Sequence, residues 1–388
     1  MKNKTNIVDL FSEAKTNDTY LKVCAPMVRY SKVQFRTLLW LTLCFSFFLC
    51  SSALLSNRVT RYNEFATTVT DTPLIVQFAA NNRDDFVDAS KLVYAYSDGV
   101  DLNCGCPQKW AMKDGYGCAL LSKPELIHDL VKGIKNNLPN SFSVSVKIRI
   151  LKELNRTIDM CQKLEKCGVS FLTVHGRTPT QKSGDKVDTV ALRDVVESVQ
   201  IPIVANGGIK TLEDADDLYN KVNCRGVMAA SGILTNPGLF SGATRTPISC
   251  VKMWKDMKDK DSDKITFQCY HHHLVFMLEK VLTKQQKLVF NHLSTFESVD
   301  EFLNNHLINL VVGDLDFKYN LDEFVECEFA DEITLKHSTK CRGCGKSLCY
   351  CICNKYDPNA TDGNYFVSCI KDSDSLDYMD CNIFDETC

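Results

Sequence analysis

The sequence predicts an α/β fold: a TIM (β/α)8 barrel with a C-terminal helical domain and a Cys-rich tail. Three observations predict it. First, seven short runs, YLKVCAPM, PLIVQFAA, GVDLNCGCP, SFSVSVKIRI, VSFLTVHGR, IPIVANGG and RGVMAAS, are close to continuously apolar. Such runs suit parallel strands covered on both faces. Second, amphipathic stretches such as KPELIHDLVKGIKNN and LEDADDLYNKV separate them, which gives repeated βα units. Third, polar and glycine residues gather at the C-terminal ends of the runs, the end of a barrel that carries chemistry.

The 388 residues exceed the roughly 250 that such a barrel needs, so appendages are expected. Residues 1–19 read as an N-terminal extension and 20–240 as the barrel. Residues 241–310 read as a helical, RNA-binding domain, on the strength of ISCVKMWKDMKDK, CYHHHLVFMLEKVL and KLVFNHLSTF. Residues 311–388 form an acidic, Cys-rich tail.

An eighth strand is missing from this reading between Met27 and Pro73. That gap holds an anomalous apolar segment, residues 38–57, with no charge between Arg36 and Arg58. It is long enough for a membrane helix. A span there would remove the wall between two strands that must share one closed sheet. The expectation is therefore no membrane span, with a divergent strand and a stretch outside genuine coding sequence both left open.

Hydrophobic residues make up 45% of the chain, enough for a large core, and the net charge is −3. The charge is unevenly spread. From Val311 onward there are 16 acidic and 7 basic residues, which leaves 32 acidic and 38 basic in the first 310, a net of +6. A mildly basic body can hold a phosphate backbone through a local patch. Of the 20 cysteines, nine follow Val311. The opening MKNKTNIVDLFSEAK is polar and does not read as a secretory signal, so the expectation is a cytoplasmic protein whose cysteines are thiols or metal ligands. In the tail, Cys341, Cys344, Cys349 and Cys351 fall within a short thiol-rich stretch. Soft-metal spacing there leaves zinc and a disordered, Cys-rich extension both open.

The strongest chemical signal is Asp101-Leu-Asn103-Cys-Gly105-Cys106-Pro107, followed by Gly115-Tyr-Gly117. Cys106 sits where a strand breaks into a turn, and a thiol at that place can act as acid, nucleophile or ligand. Lys147 lies inside the β-branched run VSVKIRI, where a buried ammonium needs a partner. Gln77 is similarly placed in LIVQFAA, and His175 precedes Gly-Arg at a strand end. The run His271-His-His273 does not favour a metal, because adjacent residues on a helix point different ways; a surface position or an RNA contact is expected.

CAPMVRYSKVQFR, VQFAANN, DLNCGCPQKWAMKDGYGCALL, VKIRI, TVHGRT, IPIVANGGI and GVMAASGILTNPGLF, in that order, resemble the tRNA-dihydrouridine synthase family from about Tyr20 to Asn309. The likeness is closest to a eukaryotic branch, which implies reduction of uridine in the tRNA D-loop, at positions 20a and 20b. It implies FMN at the barrel mouth and NADPH as reductant. Pro26, Met27 and Val28 match the stretch that backs the flavin ring, and Gln77 the side chain on its pyrimidine edge. Lys147 matches the cation near N1 and O2, and His175 a residue on the phosphate side. Asn206, Gly207 and Gly208, then Ala230 and Ser231, match two phosphate loops. Cys106 matches the proton donor, while Asn103, Lys109, Arg149 and Arg177 are expected to hold the RNA. A monomer is expected.

Two departures stand in the phosphate loops. Asn206-Gly207-Gly208 replaces the family's usual Asn-Gly-Asp, and Ala230-Ser231-Gly232 its usual Ala-Arg-Gly. The second removes a charge, although backbone N–H groups still hold phosphate. Asn-Gly-Gly also resembles flavin barrels that reduce free pyrimidines, which leaves that activity as an alternative. An inactive RNA-binding relative is another. Turnover on free uracil separates the first, and a bound-flavin spectrum the second.

Overall fold

The structure, a computed structural model, describes residues 4–28, 30–39, 43–46, 49–56, 61, 64–260, 265–307 and 327. Strands β1 (Leu21–Cys24), β2 (Leu43–Phe45), β3 (Leu49–Cys50), β4 (Leu74–Ala79), β5 (Gly99–Cys104), β6 (Ser143–Arg149), β7 (Phe171–His175), β8 (Ile203–Asn206) and β9 (Gly226–Ala229) form one parallel sheet. The sheet closes on itself: β1 pairs with β2 and β9, and β2 pairs with β4. Eight strands make the ring, with β3 lying along the far end of β4. The TIM-barrel expectation is met. Strands β4, β5 and β6 are buried along their whole length, which is why they read as unbroken apolar runs. Helices between the strands cover the outside. Pro124–Asn137 is typical: proline opens it, and Ile127, Leu130, Val131 and Ile134 form its buried stripe.

The missing eighth strand comes from the uncharged segment. Val23 and Cys24 pair with Leu43 and Cys44, while Cys44 and Phe45 pair with Leu74 and Ile75. Leu43 and Phe45 are fully buried, and the Phe45 ring meets Phe171 across the barrel at 6.3 Å. The segment lacks charge because it is wall on one side and core on the other. Among the described residues, no helix is long and apolar enough to cross a membrane. A buried ion pair, Arg36 with Asp71, ties the two ends of this region together. Arg36 Nη1 also donates to Ser31 O at 2.7 Å, and Thr67 Oγ1 donates to Asp71 Oδ2 at 2.9 Å.

The N-terminal extension contains a helix, Ile7–Thr16, whose buried Ile7, Phe11 and Ala14 plug the barrel. Phe11 reaches Phe171, the first residue of β7, at 5.2 Å, so the plug fills the end opposite the mouth. After the barrel come helices Ile248–Lys260, Phe267–Met277, Lys284–Asn291 and Phe296–His306. Here the histidine run departs from expectation. His271 and His273 are 7% and 1% exposed. His273 packs on Trp254 and Phe35, with Nε2 3.1 Å from Tyr30 O, while His271 Nε2 lies 2.8 Å from Phe290 O. The helix is packed on one side by the barrel and on the other by its neighbours, so two of the three rings are core.

Candidate active site

Strand register stacks the inward side chains in layers, because residues two apart on a strand share a face and aligned residues sit side by side. Gln77, Asp101 and Ser145 are register partners on β4, β5 and β6. One step towards the mouth, Asn103, Lys147 and Thr173 align, and at the top Arg149, His175 and Asn206 do. The lower layers are wired together. Ser145 Oγ donates to Asp101 Oδ1 at 2.6 Å, and Gln77 Nε2 donates to Asp101 Oδ2 at 2.7 Å. Asn103 Nδ2 then donates to Gln77 Oε1 at 2.7 Å.

The chain of bonds ends at Cys106. Asn103 Oδ1 accepts from the backbone N–H of Gly105 at 3.0 Å and of Cys106 at 2.9 Å. From behind, Cys118 N donates to Cys106 O at 2.8 Å, and Arg149 Nε donates to Gly105 O at 2.9 Å. Gly117 makes this possible: it has φ +59°, and a Cβ there would lie 2.4 Å from Cys106 O. The Cys106 side chain, outside any disulfide, is 1% exposed and packed with Cys50, Ala53, Ala79, Ala111 and Tyr116. The uncharged segment thus supplies part of the thiol's surroundings through Cys50 at the end of β3.

The mouth is cationic. Lys147, Arg149 and Arg177 are 2%, 1% and 4% exposed. Burial, with these three cations, holds His175 neutral, well below the usual imidazole range. Its Nε2 lies 3.2 Å from Arg177 Nη1, which only donates, so Nε2 accepts and Nδ1 carries the proton. That Nδ1 is buried without a hydrogen-bond partner, as is Thr173 Oγ1. Beside them Gly207 takes φ +125°, and a Cβ there would press on the His175 ring at 2.9 Å. A Cβ at Gly208 would come within 4.0 Å of Arg177 Nη2. Unpaired donors, buried cations and a backbone kept bare suit an anionic group rich in acceptors. The residues present therefore fit FMN. Low in the barrel, burial raises Asp101 to about 6 against the opposing pull of Ser145, Gln77 and Lys147.

A family model described as "Dihydrouridine synthase (Dus)" matches residues 23–309. The chain belongs to the dihydrouridine synthase family. A mouse relative, "tRNA-dihydrouridine(20a/20b) synthase [NAD(P)+]-like", is 46% identical over 290 residues, which is 74% of this chain and 89% of the relative. A human protein of the same description is 43% identical over 290 residues, covering 74% and 90%. A fission yeast tRNA-dihydrouridine(20a/20b) synthase is 38% identical over 291 residues, covering 74% and 87%.

Within this dihydrouridine synthase barrel, the sequence-predicted residues fall as follows. Gln77, Asn103, Cys106, Lys147, Arg149, His175, Arg177 and Asn206 are all buried, Gln77 in the lower layer and the others above it towards the mouth. Pro26 and Met27 follow β1 and are buried, Val28 packs on the Cys106 cluster, and Ala230 and Ser231 follow β9. Asn206 Nδ2 donates to Met228 O at 3.0 Å, which braces β8 against β9. Lys109 is exposed. Arg149 and Arg177 point into the mouth instead of outward, each bonded to backbone carbonyls. Cys341, Cys344, Cys349 and Cys351 lie outside the described residues, and among those described no cluster is arranged for a metal. Asp101 and Tyr116 lie inside the sequence motif without a role that the motif itself assigns. A carboxylate inside an apolar strand was the available signal for Asp101.

Proposed function

We propose that this protein is a tRNA dihydrouridine synthase that reduces the C5=C6 bond of uridine in the tRNA D-loop, at the positions 20a and 20b named for its relatives. The observation that carries the reading is the bonded column from Asp101 through Gln77 and Asn103 to the Cys106 backbone, set beside three buried cations. Gln77 has an N–H to spare for the pyrimidine edge of a flavin ring. Lys147 supplies positive charge beside that ring, where electron density rises on reduction. Arg177, His175 Nδ1 and the Gly207–Gly208 backbone hold the phosphate side. Pro26, Met27, Val28, Ala230 and Ser231 complete the walls. FMN held by these residues would supply hydride-transfer chemistry between NADPH and uracil C6.

Cys106 delivers a proton to C5, and the uracil becomes saturated as NADPH becomes NADP+. The donor lies under the mouth, so the base must leave its stack to meet it. In this reading exposed Lys109 and the helices from Ile248 onward receive the RNA backbone.

The test is a flavin spectrum of the purified protein, followed by turnover with NADPH on unmodified tRNA and on free uracil. Bound flavin with reduction of tRNA alone supports the reading. Reduction of free uracil would make it a pyrimidine reductase, and protein that takes up no flavin would make it an inactive relative.

A further inference from the structure

Directly after Cys106, Pro107 and Gln108 comes a five-residue helix, Lys109–Lys113. Its inner face is fixed to the floor of the mouth. Ala111 is fully buried in the cluster that holds Cys106, and Tyr116 N donates to Ala111 O at 2.8 Å. Its outer face is unusual: Trp110 is 41% exposed and Met112 42%, and the exposed Lys109 and Lys113, four apart, share the face beside the indole. Trp254, by contrast, is fully buried. The indole Nε1 donates to Gln108 Oε1. An exposed aromatic face beside a pair of lysines, a few residues from the proton donor, matches one kind of occupant well. Nucleobases stack on aromatic side chains while cations track their phosphates. Pulling a uridine out of its stack also leaves the neighbouring base without a partner.

We propose that Trp110 is the stacking platform for the nucleobase adjoining the target uridine, with Lys109 and Lys113 on the flanking phosphates. The proposal rests on the reading of the protein as an enzyme acting on RNA and adds to it a residue that recognises the context of the target.

The test uses the full-length, FMN-loaded protein and a tRNA transcript, native or with an abasic nucleotide next to the target uridine. Trp110→Ala should raise KM for the native transcript about tenfold, the size of one lost base stack, with kcat changed far less. Trp110→Phe should restore most of the difference. On the abasic transcript, wild type and Trp110→Ala should perform alike. Binding of native tRNA should quench indole emission in wild type and not in Trp110→Phe. NADPH-driven flavin reduction serves as the folding control. An unchanged KM in a folded Trp110→Ala variant, or an equal penalty on both transcripts, overturns the proposal. Failure of the functional reading looks different: wild type itself would form no dihydrouridine on either transcript.

Discussion

Asn103 Oδ1 accepts the backbone N–H of Cys106 at 2.9 Å, so the side chain that reads the barrel's interior also fixes the position of the thiol. Its other arm donates to Gln77, which in turn donates to the acceptor-only carboxylate of Asp101. The direction of every bond in this chain is set at its two ends, by a carboxylate and by backbone N–H groups.

Asn103→Ala should therefore loosen the Cys106 loop while leaving the barrel folded. Two buried N–H groups lose their acceptor, each at a cost of roughly 1–3 kcal/mol. Dihydrouridine formation should fall by tenfold or more with FMN still bound. Steady-state turnover beside a flavin spectrum checks this, and full activity would show that the loop is held by its other contacts.

Asp101 should make stability depend on pH. Burial raises it from 3.8 to about 6, so folding favours the protonated acid. The carboxylate form is a penalty that is absent below about pH 4 and fully present above about pH 6. Asp101→Asn removes it. Relative to wild type, the apo-variant should gain about 3 kcal/mol in passing from about pH 4 to about pH 8. Urea unfolding at both pH values measures the difference, and a constant difference contradicts a raised Asp101.

Arg177 should matter for cofactor affinity more than for RNA. Its Nη2 lies near the bare backbone of Gly208, and its Nε donates to Asp185 O at 2.7 Å. Charge-assisted bonds contribute roughly 1.5–3 kcal/mol. Arg177→Ala should weaken FMN about tenfold or more, and Ser231→Arg should tighten it. FMN titration of the apoproteins decides; unchanged affinity in Arg177→Ala would return Arg177 to the RNA.

Most of the barrel was legible in the sequence because its strands are buried on both faces and read as unbroken apolar runs. The second strand was not. Leu43–Phe45 sits within an uncharged stretch that has no polar boundary, so its ends leave no mark in the pattern. The role of Asp101 is not legible in the sequence, since its partners Gln77 and Ser145 lie 24 and 44 residues away and only the closed sheet brings them together. Trp110 gave no signal at all, because exposure of an aromatic beside lysines is not visible before the helix is placed.

Phe45→Ala tests whether the uncharged segment is truly wall. Phe45 is fully buried opposite Phe171, and such truncations cost about 3–5 kcal/mol. A fall of that size in unfolding free energy is expected. A loss below about 1 kcal/mol would mean that the ring does not fill the barrel centre.

The most direct measurement is mass mapping of unmodified tRNA after incubation with the FMN-loaded protein and NADPH, run beside Cys106→Ala. The account predicts the addition of two hydrogens to D-loop uridines with wild type. It predicts a loss of about 10²–10⁴-fold in Cys106→Ala with flavin retained. Flavin-loaded wild type that leaves every D-loop uridine unreduced, or a Cys106→Ala variant that works as well as wild type, would contradict it.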